Sequence, residues 1–246
     1  MEQKTFFSIT PATMRAACSQ CNMRELCIAV GLEDHDLHKL DQIVARRKIR
    51  RGEHLYRAGD AFTSIYAVRT GFFKTDLIGD EGQEQVTGFQ MSGEILGMDG
   101  ISTDTHVCNA TALEDSEVCI IPYENLETLS REVPSLQHQF HKFMSREIVR
   151  DQGLMVLLGS MKAEERIAAF LLNLSTRMKA RGYSASEFHL RMTREEIGSY
   201  LGLKLETVSR TLSKFDSDGL IGVQHKHIRI LNSQGLHDLL DHGTST

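Results

Sequence analysis

One stretch of the chain, from Thr193 to Phe215, has a pattern that is typical of two short helices joined by a sharp turn. Thr193-Arg194-Glu195-Glu196 reads as a capping box, with Thr193 as the N-cap and Glu196 three residues further on. Gly202 can adopt the left-handed conformation that ends a helix, and a second helix is predicted from about Leu205 to Asp216. The apolar residues that would pack the pair together recur at helical spacing: Ile197, Tyr200, Leu201, Val208, Leu212 and Phe215.

The second helix of this pair has a polar face near its N-terminus. Glu206, Ser209 and Arg210 fall at i, i+3 and i+4, where the recognition helix of a helix-turn-helix meets base edges. Arginine can bind guanine, and glutamate can accept from cytosine. Lys204 and Thr207 are predicted to contact the DNA backbone, and Thr193 completes the predicted DNA-binding residues. The alternative is a surface triad on an ordinary helical hairpin. Residues 221–230 are predicted to form a two-stranded wing.

Charge is distributed unevenly along the chain. The net charge is −5, yet residues 160–246 carry 12 Lys and Arg against 10 Asp and Glu. The remaining residues carry 16 against 23, so the acidic excess lies in the N-terminal part and the C-terminal part can approach phosphates.

Three cysteines near the start of the chain, Cys18, Cys21 and Cys27, have the spacing C-x2-C-x5-C. Soft thiolate ligands select zinc, copper(I) or an iron–sulfur cluster. There is no second C-x2-C unit for a zinc site, whereas an iron–sulfur cluster accepts an irregular run with one distant ligand, here Cys108 or Cys119. The spacing by itself favours iron–sulfur but leaves zinc and free thiols open.

The middle of the chain changes from strand to helix. Short β-prone runs separated by glycines between Ile49 and Pro122 predict an antiparallel roll or barrel. Residues 123–158 read as helix, interrupted near Pro134. Within this helix a heptad seam is formed by Met144, Ile148, Asp151, Met155 and Leu158, which predicts pairing with a second subunit. The alternative is packing of this helix on its own domain.

Other classes of protein find little support in the sequence. No apolar run is long enough to span a bilayer and no signal peptide is recognisable, so we expect a cytoplasmic protein that does not act on membranes. No Walker loop, dinucleotide fingerprint, G-x-S-x-G or H-E-x-x-H occurs, and we expect no enzymatic activity.

Several stretches together resemble the CRP/FNR family, and within it the oxygen-sensing branch of fumarate and nitrate reduction regulators. The resemblance covers nearly the whole chain. The matching stretches are the three N-terminal cysteines, Leu55 to Asp60, Gln85 to Phe89, Ala163 to Phe170 and Glu206 to Arg210.

This resemblance implies an α+β fold in four parts. These are a cysteine-rich arm over 1–30, an antiparallel β-roll sensor of the cyclic-nucleotide-binding type over 31–122, a dimerisation helix over 123–159 and a winged helix-turn-helix over 160–246. It also implies an oxygen-labile [4Fe–4S] cluster. The fourth ligand in the family precedes an Ile-Pro in the last strand of the roll, which points to Cys119, while Cys108 is interpreted as a buried apolar residue.

The resemblance further implies a homodimer that binds a TTGAT-N4-ATCAA-like inverted repeat to control anaerobic metabolism genes. The segment 104–110 holds no arginine for a cyclic phosphate, so no cyclic nucleotide is expected. The loop 80–84 resembles the patches by which the family contacts RNA polymerase. A zinc- or thiol-redox-responsive regulator of the same fold is the alternative.

Overall fold

The computed structural model describes residues 14, 15, 17–79 and 82–241. The chain divides into two compact units. One contains the residues up to 73 together with 89–143, and the other contains 74–88 together with the residues from 144 onward.

Within the described residues nine strands form two antiparallel sheets, and those between Ile49 and Pro122 lie where the glycine-punctuated pattern predicts a roll or barrel. They are β1 Met14–Arg15, β2 Ala45–Ile49, β3 His54–Tyr56, β4 Ser64–Thr70, β5 Phe72–Ile78, β6 Glu84–Met91, β7 Ile95–Leu96, β8 Asn109–Ala112 and β9 Ser116–Pro122. The strand orders are β1-β2-β9-β4-β7 and β3-β8-β5-β6. Strands this short form a stable layer because each contributes buried side chains to a shared interior.

The interior of the roll is packed with apolar side chains. Phe73 and Val118 are fully buried there, and Cys108 is 8% exposed in the same cluster. Close beside them the ring of His106 stacks on Tyr56 with centroids 3.7 Å apart, and its Nδ1 lies 3.3 Å from Asp99 Oδ1. The prediction of Cys108 as a buried residue of the roll agrees with this placement.

Three helices flank the roll in sequence: α1 Asp34–Ile43, α2 Tyr123–Glu132 and α3 Pro134–Ser160. The predicted interruption near Pro134 is present, because α2 ends at Glu132 and Pro134 is the first residue of α3. Proline is well suited to a first helical position, where its missing N–H has no partner to lose. Leu136, Phe140 and Phe143 are buried in the first part of α3.

After α3 the second unit is mainly helical. Its elements in this part of the chain are α4 Ala163–Ala180, β10 Glu187–His189, α5 Arg194–Leu201, α6 Leu205–Ser217, β11 Ile221–Gln224, β12 His227–Ile230 and α7 Ser233–Asp241. The wing has three strands in the order β10-β12-β11, one more than the sequence pattern predicts, and α7 is an element that the pattern did not indicate. Among the described residues, no helix has the length and apolar character that crossing a membrane requires.

Candidate metal centre and nucleic-acid interface

Four cysteines from two distant parts of the chain line one pocket in the first unit. Cys18 and Cys21 lie around a short 3-10 turn (Cys18–Gln20), and Cys27 follows a second one (Arg24–Leu26). Cys119 belongs to β9 and lines the same pocket. The rest of the lining is Arg24 and the apolar side chains of Ile28, Ala29, Leu40, Val44, Ala67 and Ile121. Strand β9 therefore supplies the fourth sulfur beside the N-terminal three.

Cys108 does not line this pocket. Its backbone N–H donates to Asp99 Oδ2 at 3.3 Å, and its Sγ lies 3.4 Å from the same oxygen. The structure thus separates the two cysteines that spacing left as rivals for a distant ligand, and it brings Cys119 to the others.

Burial governs the acidity of the thiols. It raises the pKa of Cys27 to about 11 and that of Cys119 to about 12, because a charged thiolate is poorly solvated there. The pKa of Cys18 is raised further, first by burial and then by its hydrogen bond to the Asp41 carboxylate. The positive charges of Arg46 and Arg69 act in the opposite direction on the pKa of Cys119.

The donor set can be compared with the needs of a metal group. Within the described part of the chain, no three His, Cys, Asp or Glu side chains are grouped so that they could hold a metal ion as they stand. The four thiols are nevertheless close enough for Cys27 and Cys119 to act on the pKa of Cys18. Four thiols on an apolar wall, with guanidinium groups beside one of them, are the donors that a [4Fe–4S] cluster uses.

The helix pair in the second unit has the predicted geometry. Thr193 Oγ1 accepts from the Glu196 N–H at 3.1 Å, and Glu196 Oε2 accepts from the Thr193 N–H at 2.7 Å, so the capping box is present. Gly202 ends α5 with φ +62°, a left-handed conformation that glycine adopts without strain. Ile197, Leu201 and Val208 are buried between the helices.

The predicted base-reading residues lie on the outer side of α6. Glu206, Arg210 and Lys204 are exposed, and Ser209 and Thr207 are partly exposed. Thr193 is exposed as well, although its hydroxyl is engaged in the cap of α5. The predicted dimer seam on α3 is graded: Ile148 is 57% and Met155 66% exposed, Asp151 is exposed, and Met144 and Leu158 are partly buried.

Three residues that contribute to these sites were not foreseen from the sequence. Asp41 reaches Cys18 from α1, Arg46 lies opposite Cys119 in strand register, and Arg166 braces the helix pair. Asp41 and Arg46 belong to no local motif, and Arg166 lies in the stretch Ala163 to Phe170 without a role that the stretch reveals. Only strand pairing and helix docking show what these three residues contact.

Comparison with known proteins places this architecture in a class. A model of the Crp-like helix-turn-helix domain matches residues 165–239, and a model of the cyclic nucleotide-binding domain matches residues 46–132. The chain belongs to the CRP/FNR family of transcriptional regulators, which bind DNA and are not enzymes.

Individual relatives show which members of the family the chain is similar to. The transcriptional activator protein anr of Pseudomonas aeruginosa is 48% identical over 223 residues, which are 90% of this chain and 91% of the relative. The fumarate and nitrate reduction regulatory protein of Escherichia coli is 45% identical over 226 residues, 92% of this chain and 90% of the relative. Among solved structures, FixK2 from Bradyrhizobium japonicum has a TM-score of 0.74 at 30% identity and covers 80% of this chain and 97% of its own.

Proposed function

We propose that this chain is an oxygen-responsive transcription regulator in which Cys18, Cys21, Cys27 and Cys119 hold a [4Fe–4S] cluster. The observation that carries the proposal is the pocket in which β9 brings Cys119 to the three N-terminal cysteines. The names of the relatives, an anr activator and a fumarate and nitrate reduction regulator, point to genes of anaerobic metabolism.

When bound, such a cluster supplies an inorganic core that oxygen can dismantle. The protein contributes four thiolates and an apolar wall, formed in part by Ile28, Leu40 and Val44, that limits the access of water. Because the thiols come from both the N-terminal arm and β9, loss of the cluster would release the arm from the roll.

The proposed active form is a homodimer paired along α3. Ile148 and Met155 leave large apolar side chains exposed on this helix, and Val149 and Val156 do the same one position further on. Exposed apolar side chains at heptad spacing are the usual material of a helix–helix interface.

The dimer would read an inverted repeat of the TTGAT-N4-ATCAA type through Glu206, Ser209 and Arg210, with Lys204, Thr207 and Thr193 on the DNA backbone. Exposure of Glu206 and Arg210 on one face of α6 supports this reading. A regulator that binds promoter DNA in this way works in the cytoplasm.

Two further parts of the proposal concern partners. We infer that no cyclic nucleotide is needed, because the segment 104–110 lacks an arginine and His106 packs against Tyr56 and Asp99 there. The loop 80–84 is the proposed contact with RNA polymerase; Asp80 and Glu81 lie outside the described residues.

The deciding experiment compares Cys119→Ser with Cys108→Ser in protein purified without oxygen. We expect about four irons and four acid-labile sulfides per chain in the wild type and in Cys108→Ser. Both should show a brown absorbance that fades in air. Cys119→Ser should lose most of its iron and sulfide, because serine removes the fourth sulfur.

The same assay separates the alternatives. Zinc in place of iron, or no metal in any variant, would return the cysteines to zinc or thiol chemistry while leaving the DNA-binding fold intact. Loss of the cluster in Cys108→Ser but not in Cys119→Ser would show that Cys108, and not Cys119, is the fourth ligand.

A further inference from the structure

Positive charge lies beside one of the four cysteines, Cys119. Arg46 on β2 and Ala67 on β4 are the residues directly opposite Cys119 in the antiparallel register. Residues that face each other across antiparallel strands point to the same side of the sheet, so the Arg46 side chain lies beside Cys119 on the pocket side. Among the described residues Arg46 has no ion pair, and its buried Nε has no hydrogen-bond partner.

Arg69 adds a second cation beside Cys119. It lies where the pairing of β4 with β9 shifts register between Val68 and Thr70, and its Nη1 is 2.6 Å from Glu117 Oε2. The Arg69 charge is thus partly neutralised by a carboxylate, whereas the Arg46 charge is not. The positive charges of both guanidinium groups act to lower the pKa of the Cys119 thiol.

Negative charge lies beside a different cysteine, Cys18. The Cys18 N–H donates to Asp41 Oδ1 at 2.5 Å, which holds the arm against α1. A carboxylate is a good acceptor for a thiol but repels a thiolate, and a metal-bound cysteine is a thiolate.

We propose that this asymmetry makes Cys18 the most weakly held of the four cluster ligands and Cys119 the most firmly held, so that Cys18 leaves first in air. The inference rests on the proposed function, since it concerns how the cluster of that proposal is held. A guanidinium group stabilises a neighbouring thiolate and can donate to its sulfur, whereas the Asp41 carboxylate opposes the same charge at Cys18.

Cys18 would hold the cluster as a thiolate beside the Asp41 carboxylate, and Cys119 would hold it as a thiolate beside the Arg46 guanidinium group. The chemistry that the bound cluster would supply is an inorganic core that oxygen oxidises, and a cysteine released from it would keep the electron pair on its sulfur.

The first experiment follows the four cysteines in the wild-type protein. Protein purified without oxygen, with its iron and sulfide measured, is exposed to air for increasing times and treated with iodoacetamide. Mass spectrometry then gives the rate at which each cysteine is alkylated. This rate is divided by the alkylation rate of the same cysteine in metal-free protein to correct for exposure. We expect Cys18 to be alkylated first and Cys119 last. Simultaneous labelling of all four, or labelling of Cys119 first, would overturn the inference.

The second experiment changes the charges. Asp41→Asn keeps an acceptor for the Cys18 N–H but removes the negative charge, so the half-time of the brown absorbance in air should lengthen by about threefold or more. Arg46→Gln should shorten it by a similar factor, and Arg46→Lys should stay near the wild type. Asp36→Asn is the control, because Asp36 lies on the same helix and pairs with Lys39 at 4.0 Å instead of facing the cysteines.

Two failures remain distinguishable in these measurements. Wild-type protein without iron and sulfide would overturn the proposed function and this inference with it. If the wild-type protein carries the cluster and the brown absorbance of Asp41→Asn fades at the wild-type rate, the inference alone is overturned.

Discussion

Arg166 uses all three nitrogens of its guanidinium group to hold backbone carbonyls in the second unit. Nε donates to Met161 O at 2.8 Å, Nη2 to Leu158 O at 2.8 Å and Nη1 to Leu201 O at 2.9 Å. Carbonyls in the last turn of a helix have no partner within that helix. One side chain therefore provides hydrogen-bond donors for carbonyls at the C-terminal ends of both α3 and α5, and it links the end of α3 to the helix pair. Arg210 differs from Arg166 because its side chain is exposed on the outer side of α6.

These two arginines should separate stability from DNA affinity. We expect Arg166→Met to lower the free energy of unfolding of the second unit by about 2 to 3 kcal/mol, because three partly buried carbonyls lose a charged donor. Arg210→Met should leave that free energy within about 0.5 kcal/mol of the wild type but weaken specific DNA binding by about 1 to 3 kcal/mol. Denaturant titration and a binding titration at fixed salt measure the two quantities. Equal effects of both variants on stability would contradict this division of roles.

At the scale of the element, the turn between α5 and α6 depends on the absence of side chains. A Cβ built on Gly198 would lie 2.5 Å from the backbone oxygen of Leu203, a distance that real Cβ atoms do not show. Gly198 thus lets the chain return close to α5 immediately after Gly202 ends it. The capping box of Thr193 and Glu196 fixes the other end of the same helix.

The turn should therefore not tolerate even a methyl group. We expect Gly198→Ala to destabilise the second unit by about 1 to 3 kcal/mol, because backbone must shift to relieve the contact. Gly153→Ala is the matched control: Gly153 is inside α3, nothing lies within 4 Å of its Cβ position, and alanine should be neutral or stabilising by up to about 1 kcal/mol. Thermal unfolding of both variants as monomers checks the pair. A Gly198→Ala protein as stable as Gly153→Ala would show that the turn has room.

At the scale of the whole molecule, the proposed switch is the pairing of two α3 helices. Most seam positions offer apolar side chains, but Asp151 places an exposed carboxylate among them. In a dimer two such carboxylates face each other, and their repulsion weakens an interface that is otherwise apolar. A weak seam can be shifted by a small change elsewhere, which is what an oxygen-responsive dimer requires.

Removing the carboxylate should strengthen the seam. We expect Asp151→Ala to form dimers and bind the inverted repeat in air, where the wild type is a monomer, because repulsion of about 1 to 4 kcal/mol is relieved. Size-exclusion chromatography and DNA binding with and without oxygen measure this. Gln152→Ala, an exposed position on the same helix outside the seam, should behave as the wild type. If Asp151→Ala still needs oxygen-free conditions to dimerise, Asp151 does not set the strength of the seam.

Local patterns predicted much of this fold because they depend on neighbouring residues. The cap at Thr193, the turn at Gly202 and the apolar spacing of Val208, Leu212 and Phe215 encode the helix pair, and the structure has it at those positions. The break before Pro134 is encoded in the same way. The third wing strand β10 was not predicted, because a strand of three residues has too few positions for its alternation to be recognised.

The cysteine site likewise has one part that local sequence predicts and another that depends on contacts between distant residues. The sequence by itself determined that Cys18, Cys21 and Cys27 are close neighbours with the chemistry of soft-metal ligands, and resemblance pointed to Cys119. Only the tertiary structure placed Cys119 on their pocket and Cys108 in the core of the roll, and brought Arg46 beside Cys119 and Asp41 beside Cys18. The physical reason is that strand register and helix docking join residues far apart in the chain, and the charge around each sulfur depends on those contacts.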